Sequence, residues 1–156
     1  MDTVLDVGLN LEIATALAQR SSRPRHAWDC YRRLISMYGD VVDGVPKSAF
    51  ENAITVAKAA RNCKSDVELD ADAMRDLCTA FAAVYTGHTG RPFPTDPWSM
   101  LRAAIQGVVC SWDNPRAVKY RALNRLTNLR GTAVTIQVCI FCRFDCVAQY
   151  ACDCLR

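Results

Sequence analysis

Asp70-Ala71-Asp72-Ala73-Met74-Arg75-Asp76-Leu77-Cys78-Thr79-Ala80-Phe81-Ala82-Ala83-Val84-Tyr85 decides how the rest of this chain is read. Met74, Leu77, Cys78, Phe81, Val84 and Tyr85 recur at intervals of three and four residues, which puts them on one stripe of a 3.6-residue helix. Asp70 stands just before the stripe, where its carboxylate can accept from an orphan N–H of the first turn. Working outward, the same signals repeat. Asn10 caps a first helix through about Arg20, with Ile13, Ala14 and Leu17 on one side. Pro24 opens a second helix and Gly39 follows its end, with Ala27, Tyr31, Leu34 and Tyr38 on one face. A third helix runs from about Lys47 to Arg61, with Phe50, Ile54 and Ala57 inward. Beyond the deciding stretch, Thr86-Gly87-His88-Thr89-Gly90-Arg91-Pro92-Phe93-Pro94 is a loop by composition. Asp96-Pro97 starts a fifth helix, with Leu101, Ala104, Ile105, Val108 and Trp112 inward. Asn114-Pro115 starts a sixth that carries Ala117, Tyr120 and Arg121. No internal repeat is visible.

The texture changes at Gly131. From Thr132 to Phe141 the pattern is that of a strand: Val134, Ile136, Val138 and Ile140 alternate with Thr135, Gln137, Cys139 and Phe141. Everything before it is helical, so its backbone donors and acceptors lack a partner within the sequence. The expectation is a mainly α chain with one C-terminal β-strand whose sheet is missing, as in an internal piece of a larger protein.

Composition bounds the function classes. The 156 residues are 51% hydrophobic and 22% charged, with a formal net charge of +3. A compact chain of this length buries about 70% of its unfolded surface, enough for a core. Collagen-like, low-complexity and disordered chains are excluded. No stretch approaches the roughly 20 apolar residues of a membrane span, and a charge of +3 does not argue for nucleic acid. The acidic start, Met1-Asp2-Thr3-Val4-Leu5-Asp6, reads as no secretory signal. The nine cysteines are odd in number, so a fully paired framework is excluded, and an intracellular, cytoplasmic setting is expected. Cys30, Cys63, Cys78 and Cys110 are scattered; Cys139, Cys142, Cys146, Cys152 and Cys154 crowd the C-terminus.

Three stretches resemble the nucleotide-binding N-terminal region of the pyruvate, phosphate dikinase family. The first is Met1-Asp2-Thr3-Val4-Leu5-Asp6-Val7-Gly8-Leu9-Asn10. The second is Ala27-Trp28-Asp29-Cys30-Tyr31-Arg32-Arg33-Leu34-Ile35-Ser36-Met37-Tyr38-Gly39-Asp40-Val41-Val42, continuing into Gly44-Val45-Pro46 and Phe50-Glu51. The third is Gly90-Arg91-Pro92-Phe93-Pro94-Thr95-Asp96-Pro97-Trp98, then Leu101-Arg102-Ala103-Ala104-Ile105, then Ser111-Trp112-Asp113-Asn114-Pro115-Arg116-Ala117 with Tyr120-Arg121, ending in Gly131-Thr132-Ala133-Val134 and Gln137. The resemblance runs collinearly over 1–141. It implies a helical subdomain of an ATP-grasp-like domain over 10–90 and a return to the central sheet over 91–141. The 142–156 stretch falls outside it and is expected to be an aberrant Cys-rich tail. Cys110 and Arg130 depart from the family's usual Arg and Trp.

The family interconverts ATP, phosphate and pyruvate with AMP, pyrophosphate and phosphoenolpyruvate, using ATP and Mg2+. Phosphoryl transfer needs phosphate donors, a metal and a nucleophile. The family's lysine loop, acidic metal ligands and phosphohistidine motif have no counterpart in these residues. The resemblance therefore implies a chain that is inactive alone and binds ATP weakly, on the order of millimolar or worse. Its partners would be ATP and the remainder of a dikinase polypeptide or dimer, and relatives are cytosolic, plastid or glycosomal. For the site, the resemblance puts Thr3 near the ATP phosphates, the other reading being a turn residue. It puts Gln137, Val138 and Ile140 on the strand beside the adenine, the other reading being a plain core strand. Arg116 and Arg121 are either phosphate or domain contacts, or members of a helix-packing salt bridge. Arg32 and Arg33 read as a solvated or domain-docking face. His26 and His88 lack the context of an acid, base or phosphoryl carrier. The tail cysteines have two-residue spacing suited to zinc, but no histidine joins them. Two other functions compete: a non-catalytic helical interaction module or degenerate gene product, and a small zinc-binding protein. Without its sheet, the isolated chain is expected to be poorly soluble or loosely folded.

Overall fold

The computed structural model describes residues 3–138. Six α-helices follow one another: α1 (Leu11–Arg20), α2 (Pro24–Asp43), α3 (Lys47–Ala60), α4 (Ala71–Thr89), α5 (Pro97–Cys110) and α6 (Pro115–Leu123). Short 3-10 turns at Asp66–Glu68 and Ser111–Asp113 precede α4 and α6. The deciding stretch forms as its sequence dictates. Asp70 accepts from the Ala73 N–H at 2.8 Å, and Met74, Leu77, Cys78, Phe81 and Tyr85 are all buried.

That stripe packs against α2, which buries Trp28, Tyr31, Leu34, Ile35 and Tyr38. α1 and α5 lie against α2, and α3 lies against α4. Phe93, from the segment between α4 and α5, closes the centre. Its ring meets Tyr31, Tyr38 and Tyr85 edge-on, with centroids 6.2, 5.4 and 5.2 Å away. Such pairs add about 0.5–1.5 kcal/mol beyond the area they bury.

Two helices run further than expected. α2 passes through Gly39 and ends at Gly44, whose φ of +67° is the left-handed cap geometry. Gly39 is a packing residue: a methyl there would stand 3.0 Å from the Phe50 ring. α4 likewise continues through Thr89 to cap on Gly90 at φ +71°. His88 is therefore helical, its Nδ1 3.0 Å from the Val84 carbonyl. α5 also presents a different face: it buries Met100 and Ala104, and Leu101, Ile105, Val108 and Trp112 are half-buried. The cause is Gly107, one turn beyond Ala104, where a Cβ would lie 2.9 Å from the Val41 carbonyl oxygen. The close backbone approach there fixes which side of α5 faces α2.

The stretch expected as a strand from Thr132 to Phe141 is described as far as Val138. Among the described residues no strand is assigned, and 132–138 belong to no helix. A strand is defined by its ladder, and an alternating segment without a neighbour forms none. Ile136 is 60% and Val138 90% exposed.

Candidate functional site

Thr3 is exposed and lines the mouth of a groove of about 380 Å³ between α2 and α3. Phe50 and Phe81 lie at its base; Arg32, Ser36, Asp40, Lys47 and Glu51 supply its polar lining. Arg32 points Nε and Nη2 at one oxygen of Asp29, at 3.0 and 2.7 Å. Its guanidinium also lies 5.8 Å from the Phe81 ring centroid. It is thus half-buried and internally paired, which corrects the expectation of a solvated face; Arg33 is exposed. Lys47 pairs with Asp40 at 3.2 Å. Both cations of the groove are answered by carboxylates of α2, so the groove offers no uncommitted positive charge to a phosphate.

A wider open groove of about 850 Å³ lies where the N-termini of α1 and α5 meet. Asn10 joins them through Nδ2 to the Thr95 carbonyl at 3.3 Å. Helix N-termini attract anions, but these two are closed by their own caps. Asn10 accepts from Ile13 N–H and Asp96 from Ser99 N–H, each at 2.8 Å. The bonds from Ser99 hold the Asp96 carboxyl below its ordinary range.

Arg121 and Arg116 part company. Arg121 lays its guanidinium on the Trp112 indole, 3.7 Å from the ring centroid. Its Nη1 also donates to the Trp112 carbonyl at 2.6 Å. This is helix packing, made through a ring and a carbonyl rather than an ion pair. Arg116 is exposed and has no ion pair among the described residues. Gln137 and Val138 are exposed and lie outside the lining of either groove. Ile140 falls outside the described residues, as do the five C-terminal cysteines.

Two polar clusters were not anticipated. Asp43, at the end of α2, accepts from Tyr85 Oη at 2.6 Å and from Arg91. Burial first, then this bond and the Asp43 charge, push the Tyr85 hydroxyl well above its usual value. The cluster ties the last turn of α2 to α4 and to the segment bearing Phe93. The second cluster is His26, Cys30 and Asp6. His26 Nε2 lies 3.7 Å from Cys30 Sγ, and the Asp6 carboxyl lies close enough to the same thiol for the two to perturb each other. A Cys beside a His invites a nucleophile reading, but the thiolate is the reactive form. Burial, then the charges of Asp6 and Asp29, push the Cys30 thiol up to about 12, so it stays protonated and unreactive near neutrality. The i, i+4 spacing of His26 and Cys30 was legible; the approach of Asp6 was not. No three His, Cys, Asp or Glu side chains gather into a metal-holding group among the described residues.

No protein-family model matches the chain. Named relatives do. Over 141 residues, 90% of this chain, it is 43% identical to "Pyruvate, phosphate dikinase 1, chloroplastic" of Oryza sativa subsp. japonica. It is 45% identical over the same length to "Pyruvate, phosphate dikinase, chloroplastic" of Mesembryanthemum crystallinum. "Pyruvate, phosphate dikinase 2" of Zea mays is 43% identical over the same length. The match covers 15 to 16% of these relatives. The chain is homologous to one segment of pyruvate, phosphate dikinase, an enzyme family.

Proposed function

We propose that residues 1–141 form the helical subdomain and the base-side margin of the nucleotide-binding region of a dikinase. The whole enzyme would convert ATP, phosphate and pyruvate to AMP, pyrophosphate and phosphoenolpyruvate. The observation that carries this is 43–45% identity sustained over 141 residues. In this reading 10–90 is the subdomain and 91–141 the return to the sheet. Gln137, Val138 and Ile140 border the adenine through backbone and apolar contacts, and Thr3 stands toward the phosphates. Arg116, exposed and without an ion pair among the described residues, is a residue of α6 that can meet a phosphate or a neighbouring domain. Mg2+ would supply charge neutralisation at the phosphates. The described residues gather no donor set for it. The remainder of a dikinase polypeptide, or a dikinase dimer, is the expected partner of the exposed 131–138 segment. A plastid is the compartment the relatives' names support. No helix among the described residues is long and apolar enough to cross a membrane.

Segment exchange tests the reading. Residues 1–141 replace the homologous segment of a relative, and ATP- and phosphate-dependent formation of phosphoenolpyruvate from pyruvate is assayed. Turnover well above that of the enzyme lacking the segment is expected. A chimera that folds, by its circular dichroism and cooperative melting, yet neither binds ATP nor turns over refutes it. For the chain alone, calorimetry should give an ATP dissociation constant on the order of millimolar or weaker; a micromolar constant would contradict the absence of phosphate-binding loops.

A further inference from the structure

α6 is attached to the bundle in an unusual way. None of its residues is buried, and its N-cap Asn114 makes no side-chain capping bond. Pro115 at its first position has no N–H to give. Val118, Tyr120 and Leu123 are exposed, and the helix rests on the Ser111–Asp113 turn. What joins it to that turn is Arg121, stacked on the Trp112 ring at 3.7 Å and bonded to the Trp112 carbonyl at 2.6 Å. The backbone of the same residue holds the next change of direction. The Arg121 carbonyl accepts from Leu126 N–H at 3.0 Å, closing the turn in which Arg125 takes a φ of +53°. Beyond that turn the chain runs out to Gln137 and Val138.

We propose that Arg121 is a positioning residue. Its side chain fixes α6 to the Trp112 turn and its carbonyl fixes the turn after α6, so together they set where 131–138 stands relative to the bundle. For Gln137 and Val138 as base contacts, the inference rests on the proposed function; for the attachment of α6 it stands by itself. A guanidinium is required for this, because its flat face covers the indole while its edge reaches a carbonyl in the same pose. An ammonium has charge but no plane to stack.

Hydrogen exchange on the full chain tests it, with Arg121→Ala, Arg121→Lys and, as a control on the same helix, Arg116→Ala. Arg121→Ala should speed exchange of the α6 amides about tenfold and leave α2 and α4 unchanged. Arg121→Lys should recover only part of the protection, and Arg116→Ala should do nothing. Unchanged α6 exchange in Arg121→Ala overturns the proposal. So does an equal effect of Arg116→Ala, or a parallel rise in α2 and α4. In the segment-exchanged dikinase, Arg121→Lys should raise the KM for ATP about tenfold with kcat within about twofold. A loosened α6 with unmoved KM removes the positioning role. If the unsubstituted chimera makes no use of ATP, the proposed function fails, and the exchange result alone decides the attachment.

Discussion

Two buried thiols should make this fold sensitive to alkali in a way that can be apportioned residue by residue. Cys30 on α2 and Cys78 on α4 belong to the buried core, 5% and 2% exposed. Cys78 donates to the Trp28 carbonyl at 3.2 Å, and Cys30 lies beside Asp6. Burial is the main reason each thiol is pushed up to about 12 from an ordinary 9.0. Between those values the unfolded chain gives up protons that the native chain keeps. Native then binds more protons than unfolded, so stability must fall as pH rises from about 9. At pH 10 the unfolded thiol is about nine-tenths ionised and the native one hardly at all, which costs about 1.4 kcal/mol per cysteine. Two cysteines give about 2.8 kcal/mol. That figure depends little on the native value, because pH 10 lies well below it. Tyr31, Tyr38 and Tyr85 are also raised, mainly by burial; half-ionised when unfolded at pH 10, each adds at most about 0.4 kcal/mol. The sum, about 3–4 kcal/mol, is a large part of the 5–15 kcal/mol typical of a domain.

The assay is urea unfolding in reductant at pH 7 and at pH 10, followed by circular dichroism, on the parent chain and on Cys30→Ala/Cys78→Ala. The substitutions cost stability at both pH values, so only the difference between the two pH values is read. The parent should lose about 3–4 kcal/mol and the double variant about 1 or less. Equal losses in the two proteins would refute the reasoning, because the thiols would then titrate alike folded and unfolded.

Two further outcomes follow from the packing. Gly87 and Gly107 are both helical, but a methyl at Gly87 meets nothing within 4 Å, while at Gly107 it meets the Val41 carbonyl at 2.9 Å. Gly87→Ala should therefore stabilise by about 0.5–1 kcal/mol through helix propensity. Gly107→Ala should destabilise by about 1 kcal/mol, overpacking outweighing the same gain; denaturant midpoints of the same sign would contradict the α2–α5 contact. Tyr85→Phe removes the 2.6 Å bond to Asp43 and should cost about 2 kcal/mol, as for a hydrogen bond to a charged group; in an Asp43→Ala background the cost should nearly vanish.

What the sequence disclosed was local. Asp70 with its stripe, the Asn10 and Asp96 caps and Pro at the start of α2, α5 and α6 announce their helices through chemistry within one turn. The misplaced ends share one cause. Gly39 and Gly87 look like helix stops because glycine weakens a helix, yet Gly39 serves a ring eleven residues away that no local signal discloses. Gly87 is simply tolerated until Gly90 supplies the left-handed cap. The face of α5 was misjudged for a related reason: an apolar helix carries several plausible stripes, and a missing Cβ at Gly107 chose among them. The candidate site was legible only through resemblance. Thr3, Gln137 and Val138 have no chemistry of their own to advertise, and the Arg121–Trp112 stack joins residues across a turn and a helix start.

The charges point to the kind of nucleotide contact this segment can make. Arg32 is taken by Asp29, Lys47 by Asp40, Arg91 by Asp43 and Lys58 by Asp66. Arg25 is taken by the carbonyls of Leu69 and Asp66, and Arg121 by the Trp112 carbonyl. The helix N-termini of α1 and α5 are closed by their caps. Exposed cations outside these pairs remain, Arg116 and Lys119 of α6 among them, but the stretch proposed to border the base, 132–138, carries no charge. Such a surface meets a base edge through backbone groups and apolar side chains, and it has little to offer a triphosphate. The chain should therefore bind adenosine, AMP and ATP with dissociation constants within about threefold of one another, all near the millimolar range. Their salt dependence should be slight, because little charge is neutralised. Chemical-shift titration of the chain with each ligand measures this. ATP binding ten times tighter than adenosine, with affinity falling steeply in salt, would mean that a cation takes the phosphates, either exposed Arg116 or one placed here in an internal pair.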